Sequence, residues 1–177
     1  MGLPEIFISF QTAAVSAITR SARGVLAVAV KDATAGGATE AAYKSLAEVP
    51  EDKFSPENYR LLKLAFLAAP TKVWVLRVGE DAEKTYQALE RLRFDWLAAP
   101  GLEDARVMSF IKTLRNGGRG VKAVVANATA PDCEGIVNLC VSGLTLEDGA
   151  MEAKDYAVRV AALLAALPLT RSATYVN

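Results

Sequence analysis

Histidine is missing from all 177 residues of this chain, which removes the commonest proton shuttle and nucleophile activator. Ser-His-Asp and Cys-His nucleophile pairs, zincin-type motifs and most zinc sites are thereby excluded. Cys133 and Cys140 are too few for a structural zinc site or a disulfide framework, and read as small buried thiols in a reducing compartment. Carboxylates, lysines and tyrosines remain. Asp32 follows the apolar run Val25 to Val30, and Asp81 follows Lys72 to Val78. The carboxyl ends of such strands are where an α/β sheet offers groups to a ligand. Neither aspartate has a convergent partner, so Asp81 reads as a helix cap and Asp32 as a solvated loop residue. The glycine cluster Asn116-Gly-Gly-Arg-Gly120 stands between a helix and a strand, the reverse of the strand, glycines, helix order of a dinucleotide site, and no G-x-x-x-x-G-K-[S/T] occurs. It reads as a helix stop. The expectation is a protein with no catalytic, cofactor-binding or metal-ligating residues: not an enzyme, and needing no cofactor.

The elements around these residues alternate. Val25–Val30 is a continuous apolar run, as in strands covered on both faces. Asp32 to Thr39 reads as a loop, and Glu40 to Leu46 as a short helix. Ser55-Pro56-Glu57 opens a helix, with Ser55 as cap and Pro56 at its first position; it carries Tyr59, Leu62, Leu64, Phe66 and Leu67 until Pro70 ends it. Lys72–Val78 is a buried strand. An amphipathic helix follows Asp81, with Ala82, Tyr86, Leu89 and Leu92 on one stripe. Phe94–Ala99 is the next strand, and Val107, Phe110, Ile111 and Leu114 mark a further helix that Asn116-Gly117-Gly118 stops. Strands follow at Val121–Ala126 and Ile136–Val141. A last helix from about Met151 to Leu167 offers Tyr156, Val160, Leu163, Leu164 and Leu167 to a core. This alternation predicts an α/β fold: a mostly parallel sheet flanked by helices.

Twenty Lys plus Arg balance twenty Asp plus Glu. Zero net charge argues against nucleic acid as a partner and leaves little self-repulsion between copies. No signal-peptide pattern opens the chain, and the longest apolar stretch is far short of a membrane span. The charges are nevertheless segregated: Glu40, Glu48, Glu51, Asp52 and Glu57 form an acidic segment, and Lys112, Arg115, Arg119 and Lys122 a basic one.

Glu5 to Phe10 alternates as a strand, with Ile6, Ile8 and Phe10 on one face and Glu5, Phe7 and Ser9 on the other. A strand so near a chain end frays unless it pairs, either in its own sheet or in a neighbour's. The linker Thr12 to Arg23 follows, so residues 1–23 read as an extended N-terminal strand or arm and residues 24–177 as a single α/β domain.

Gly2-Leu-Pro-Glu-Ile, Val15-Ser-Ala-Ile and Arg20-Ser-Ala-Arg-Gly24 together resemble the N-terminal signature of contractile phage tail sheath proteins, nearest to those of phages, prophages and phage-like particles of Gram-positive bacteria. Pro168-Leu-Thr-Arg-Ser-Ala-Thr-Tyr175 resembles a segment from the middle of such proteins, and Lys72-Val-Trp-Val-Leu-Arg-Val78 before a helix fits the same pattern. The resemblance covers the N-terminal and middle part of the family only. Family members continue past the last segment into a second linking arm, which implies that this chain is a truncated or partial subunit. It further implies a virion structural protein of a contractile tail or injection system, self-assembling by strand exchange and charged surfaces around a tail tube. Partners would be its own copies and the tube and baseplate proteins, with no nucleic acid and no membrane. The location would be the virion tail or phage-like particle, after assembly in the bacterial host cytoplasm. Subunit-interface residues under this reading are Glu5, Ile6, Phe7, Ile8, Ser9, Phe10, Arg115 and Arg119. A small α/β enzyme or nucleotide-binding domain with a carboxylate-based site is the alternative.

Overall fold

A computed structural model of the chain describes residues 24–34, 36–129, 133–146 and 149–168. The strand expected at Glu5–Phe10 and the linker after it lie outside the described residues. Six strands form one sheet in the order β2-β3-β1-β4-β5-β6: β1 (Val25–Lys31), β2 (Glu40–Tyr43), β3 (Lys72–Val78), β4 (Trp96–Ala98), β5 (Lys122–Ala126) and β6 (Ile136–Leu139). All pair in parallel except β2, which runs antiparallel to β3. A short hairpin, β7 (Thr145–Leu146) and β8 (Gly149–Ala150), stands apart. Four helices cover the sheet: α1 (Pro56–Phe66), α2 (Ala82–Arg91), α3 (Asp104–Asn116) and α4 (Ala153–Ala166). The expected mostly parallel sheet flanked by helices is the architecture found. Among the described residues no helix is long and apolar enough to cross a membrane.

The central strand explains the layering. Val25 through Val30 are all buried, because successive side chains point to opposite faces of the sheet and both faces are covered. Leu26, Val28 and Val30 enter the layer under α1 and α4. Val25, Ala27 and Ala29 enter the layer under α2 and α3. The start of β1 is fixed by one carboxylate, as Asp95 Oδ2 accepts the N–H groups of Gly24 and Val25, each at 2.9 Å. Gly24 has φ +96°, and a Cβ there would lie 3.1 Å from both the Ala165 carbonyl and Thr71 Oγ1, so the domain's first described residue is suited to glycine alone.

Local signals held where they were strongest. Ser55 Oγ accepts the Asn58 N–H at 3.2 Å to cap α1, with Pro56 in the first turn. Asp81 caps α2 through the Glu83 N–H at 3.0 Å. Other expectations fail or hold only in part. Glu40–Tyr43 is a strand and not a helix, because Ala41 and Tyr43 half-bury against the edge of β3. Leu67 leaves the core and is 68% exposed; α1 packs through Leu61, Leu62 and Ala65, and Leu67 is out of phase with that stripe. Helix α4 only partly buries its larger side chains, with Val160 and Leu164 packed against the layer from its rim. It buries Ala157, Val158, Ala161, Ala162 and Ala165, since small side chains let the helix lie close over β1, β4 and β5. The thiols also differ from the expected buried pair, Cys133 being half-buried and Cys140 exposed, both free.

Candidate assembly surface

The chain passes from β1 to β3 on one side and then crosses to β4 on the other, so the sheet has a topological switch point at the carboxyl end of β1. Ligand crevices form at such points, and here a cleft of about 690 Å³ is lined by Lys31, Asp32, Tyr86, Glu103 and Arg106, among others. Its one buried carboxylate is already committed. Asp32 Oδ2 accepts from the Ser55 N–H at 2.9 Å and from Asn58 Nδ2 at 2.8 Å, and Oδ1 accepts from the Thr34 N–H at 2.9 Å. Arg77 Nη1 lies 3.6 Å from Oδ1, with the Asp32 side chain fully buried and Arg77 only 8% exposed. Burial by itself raises the Asp32 pKa, yet the hydrogen bonds from Ser55, Asn58 and Thr34 outweigh it and hold the carboxyl well below the usual carboxylate range. Asp32 is therefore not the solvated loop residue expected. It clamps the loop after β1 to the start of α1, and Arg77 closes the clamp by donating to the Thr34 carbonyl at 2.7 Å and to that of Lys53.

Of the other polar groups lining the cleft, Arg106 is paired, whereas the Tyr86 hydroxyl is buried with no hydrogen-bond partner among the described residues. Arg106 pairs with Glu83 at 2.8 Å and covers the Tyr86 ring at 5.2 Å. Burial pushes the Tyr86 hydroxyl pKa up, and so do Glu103, Glu83 and Asp104, against an opposing Arg106. Burial likewise raises Asp104, which Lys154 at 3.7 Å partly offsets. Among the described residues no group of three or more His, Cys, Asp or Glu is placed to hold a metal ion.

The distribution of charge over the whole domain follows from the helices. α2 follows the carboxyl end of β3, and α3 that of β4. α1 begins beside Asp32, and α4 begins where Lys154 donates to the Leu102 carbonyl. All four helices thus start at the carboxyl end of the sheet. Carboxylates favour helix starts and cations favour helix ends, and Glu57, Glu83, Asp104 and Asp155 stand in the first turns at this end, which they share with Lys31, Arg106 and Lys154. Lys63, Arg91 and Arg115 stand in last turns at the other end, beside Glu134 and Asp95. Glu48 departs from the acidic group expected from sequence: its carboxylate accepts the Lys44 N–H at 2.7 Å, in the turn after β2.

Arg115 and Arg119 are brought together at the basic end, where both are tied into the domain. Arg115 Nη1 donates to the Val121 carbonyl at 3.1 Å, and Nη2 pairs with Glu134, which leaves its side chain 21% exposed. Arg119 donates to the carbonyls of Glu90 at 2.7 Å and Leu92 at 2.5 Å, and lies 5.4 Å over the Phe94 ring. Glu5, Ile6, Phe7, Ile8, Ser9 and Phe10 lie outside the described residues.

Two outer strands leave one edge each unpaired among the described residues, β2 at one margin and β6 at the other. An open edge accepts an added strand. Beside β2, a shallow groove of about 470 Å³ runs over Leu46, Phe66, Leu67 and Pro70, flanked by Lys44 and Lys63. Sequence reading missed this groove, although the out-of-phase Leu67 was its signal.

No family model matches the chain. The tail sheath protein of Clostridium phage phiCD119 is 32% identical over an alignment of 191 residues, which covers 98% of this chain and 51% of the relative. The chain thus spans about half of that relative's length. Among solved structures, the sheath tail protein of Desulfitobacterium hafniense matches with a TM-score of 0.73 at 14% identity, over 97% of this chain and 64% of that one. The sheath tail protein of Listeria innocua matches with a TM-score of 0.69 at 17% identity, over 85% and 58%. These two likenesses carry the fold, and the sequence match carries the kinship: the chain belongs to the phage tail sheath family.

Proposed function

We propose that this chain is a structural subunit, or the N-terminal and middle part of one, of a contractile tail sheath that polymerises with its own copies around a tail tube. The observation that carries this reading is the sequence match to a tail sheath protein along 98% of the chain. The domain chemistry agrees with it, since Asp32, the buried carboxylate at the switch point, is engaged in holding the fold. Tube and baseplate proteins are the further partners, and the virion tail or a phage-like particle, assembled in host cytoplasm, is the location.

Residues 1–23 act in this proposal as an arm, with Glu5–Phe10 added to an open edge of an adjacent copy. Each main-chain hydrogen bond nets about 1 kcal/mol, and burying Ile6, Ile8 or Phe10 adds about 1.5–3 kcal/mol apiece. Ordering each arm residue costs about 1–2 kcal/mol, so one arm contributes a small surplus. A single pair of copies then associates weakly, and a closed array of many arms is firm. Contraction in such an array is rigid-body rotation of subunits about these links, driven by better burial in the shortened state. Deleting residues 1–11 is expected to abolish rings or tubes in negative-stain electron microscopy and leave the thermal midpoint of residues 24–177 unchanged. A large fall in that midpoint would place Glu5–Phe10 in its own sheet and end the arm proposal.

The acidic first turns and basic last turns of the helices suit end-to-end stacking, with the last turns of one copy over the first turns of the next. Arg115 and Arg119 contribute through what their internal bonds leave exposed. Reversing both to Glu is expected to reduce light-scattering assembly at low salt, and the reduction should fade as salt screens the wild-type attraction. Because both arginines also bond within the domain, circular dichroism must show the variant folded. Unchanged assembly by a folded variant would remove these two residues from the interface.

A further inference from the structure

We infer that the groove around Leu67 and the β6 edge around Val137 are the two halves of one lateral contact between adjacent copies. This inference rests on the sheath reading and names the surfaces that would meet side by side. Among the described residues Leu67 and Val137 are the exposed large apolar side chains, at 68% and 38%. They occupy opposite margins of the sheet, Leu67 beyond the end of α1 near β2 and Val137 on β6.

Three features make the two margins fit each other. The first is the face. Val137 pairs in register with Val124 of β5, whose side chain lies in the layer under α1 and α4, and Leu67 ends α1 in that same layer. The second is the level along the strands. Tyr43 of β2 lies opposite Val73 at the start of β3, and Ile136 lies opposite Ala123 near the start of β5. The Lys44–Leu67 groove and the first residues of β6 therefore both stand at the amino end of the sheet. The third is charge. Lys44 and Lys63 flank the groove, while Glu134, two residues before β6, keeps its side chain 87% exposed although it also pairs with Arg115. A sideways step in the plane of the sheet, with the small rotation that turns a row into a ring or helix, brings Val137 over the groove and Glu134 to the lysines. Two different patches on opposite margins make the contact heterologous, which builds a ring or helix and not a two-fold dimer.

Cysteine cross-linking tests this on the full chain in a Cys133→Ser, Cys140→Ser background. A Leu67→Cys variant and a Val137→Cys variant, mixed and treated with a short bismaleimide, should cross-link to each other, and neither should cross-link alone. Leu67→Glu should weaken self-association about tenfold or more, equal to about 1.4 kcal/mol, at an unchanged thermal midpoint. Cross-linking of either single variant to itself overturns the heterologous contact, as does absence of the mixed product. Rings or tubes in electron microscopy without the mixed product would sink this contact and leave the sheath reading standing. Mixed product from a chain that builds no ring or tube, with or without tail tube added, would keep the contact and sink the sheath reading.

Discussion

Asp32→Asn is expected to lower the stability of the domain by about 3 kcal/mol or more at neutral pH, a fall of about 6 °C or more in the thermal midpoint. The side chain is fully buried and receives three N–H donors as well as the nearby Arg77 guanidinium. An amide in its place turns an NH2 group toward donors and leaves the guanidinium without a counter-charge. Breaking a buried pair on one side only is the costly case. The pH dependence has a definite sign. The folded pKa of Asp32 lies below its unfolded value of about 3.9. Its contribution is therefore complete above about pH 4 and is lost as pH falls below that. The gap between wild type and variant should be wide at pH 7 and narrow progressively in acid. Urea denaturation across this range measures it. A variant within about 1 kcal/mol of wild type at pH 7 would show that the clamp is not a major source of stability.

The second large effect concerns α4. Ala161→Leu is expected to destabilise by about 1–3 kcal/mol, whereas Leu163→Ala should cost about 1 kcal/mol or less. Ala161 is fully buried in the layer over β1, where Leu26 and Val28 are also fully buried. Added methylenes there must push the helix off the sheet, because interiors are packed close to crystal density. Leu163 is only half-buried. Thermal unfolding of the two variants beside wild type decides the matter. A larger loss for Leu163→Ala than for Ala161→Leu would reverse the assignment of the helix face.

These two cases show why the sequence was legible in some places and not in others. β1, β3, α1 and α2 were readable because their signals are local: six apolar residues in a row, a Ser-Pro cap, an Asp cap. Short-range signals are complete within a few residues. The face of α4 was only partly read, Val160 and Leu164 packing at the rim of the layer, because leucines outweigh alanines in hydrophobicity and the sequence holds no record of how near the sheet comes. β2 was misread because Glu40-Ala-Ala-Tyr43 fits a helix in isolation, and only the free edge of β3 turns it into a strand. The candidate assembly residues divided the same way. Clustering of basic residues around Arg115 and Arg119 was visible in the sequence, but their bonds to Val121, Glu90 and Leu92 were not.

By itself the sequence determined the alternation of strands and helices, the absence of imidazole chemistry and the resemblance to tail sheaths, because each is carried by residue type and near-neighbour spacing. The tertiary structure alone decided that Asp32 is a clamp, that Leu67 faces outward, and that the acidic first turns of the helices share one end of the sheet and the basic last turns lie at the other. Those outcomes depend on partners 20 or more positions away, such as Asp32 with Ser55 and Asn58, which only the folded chain brings within reach.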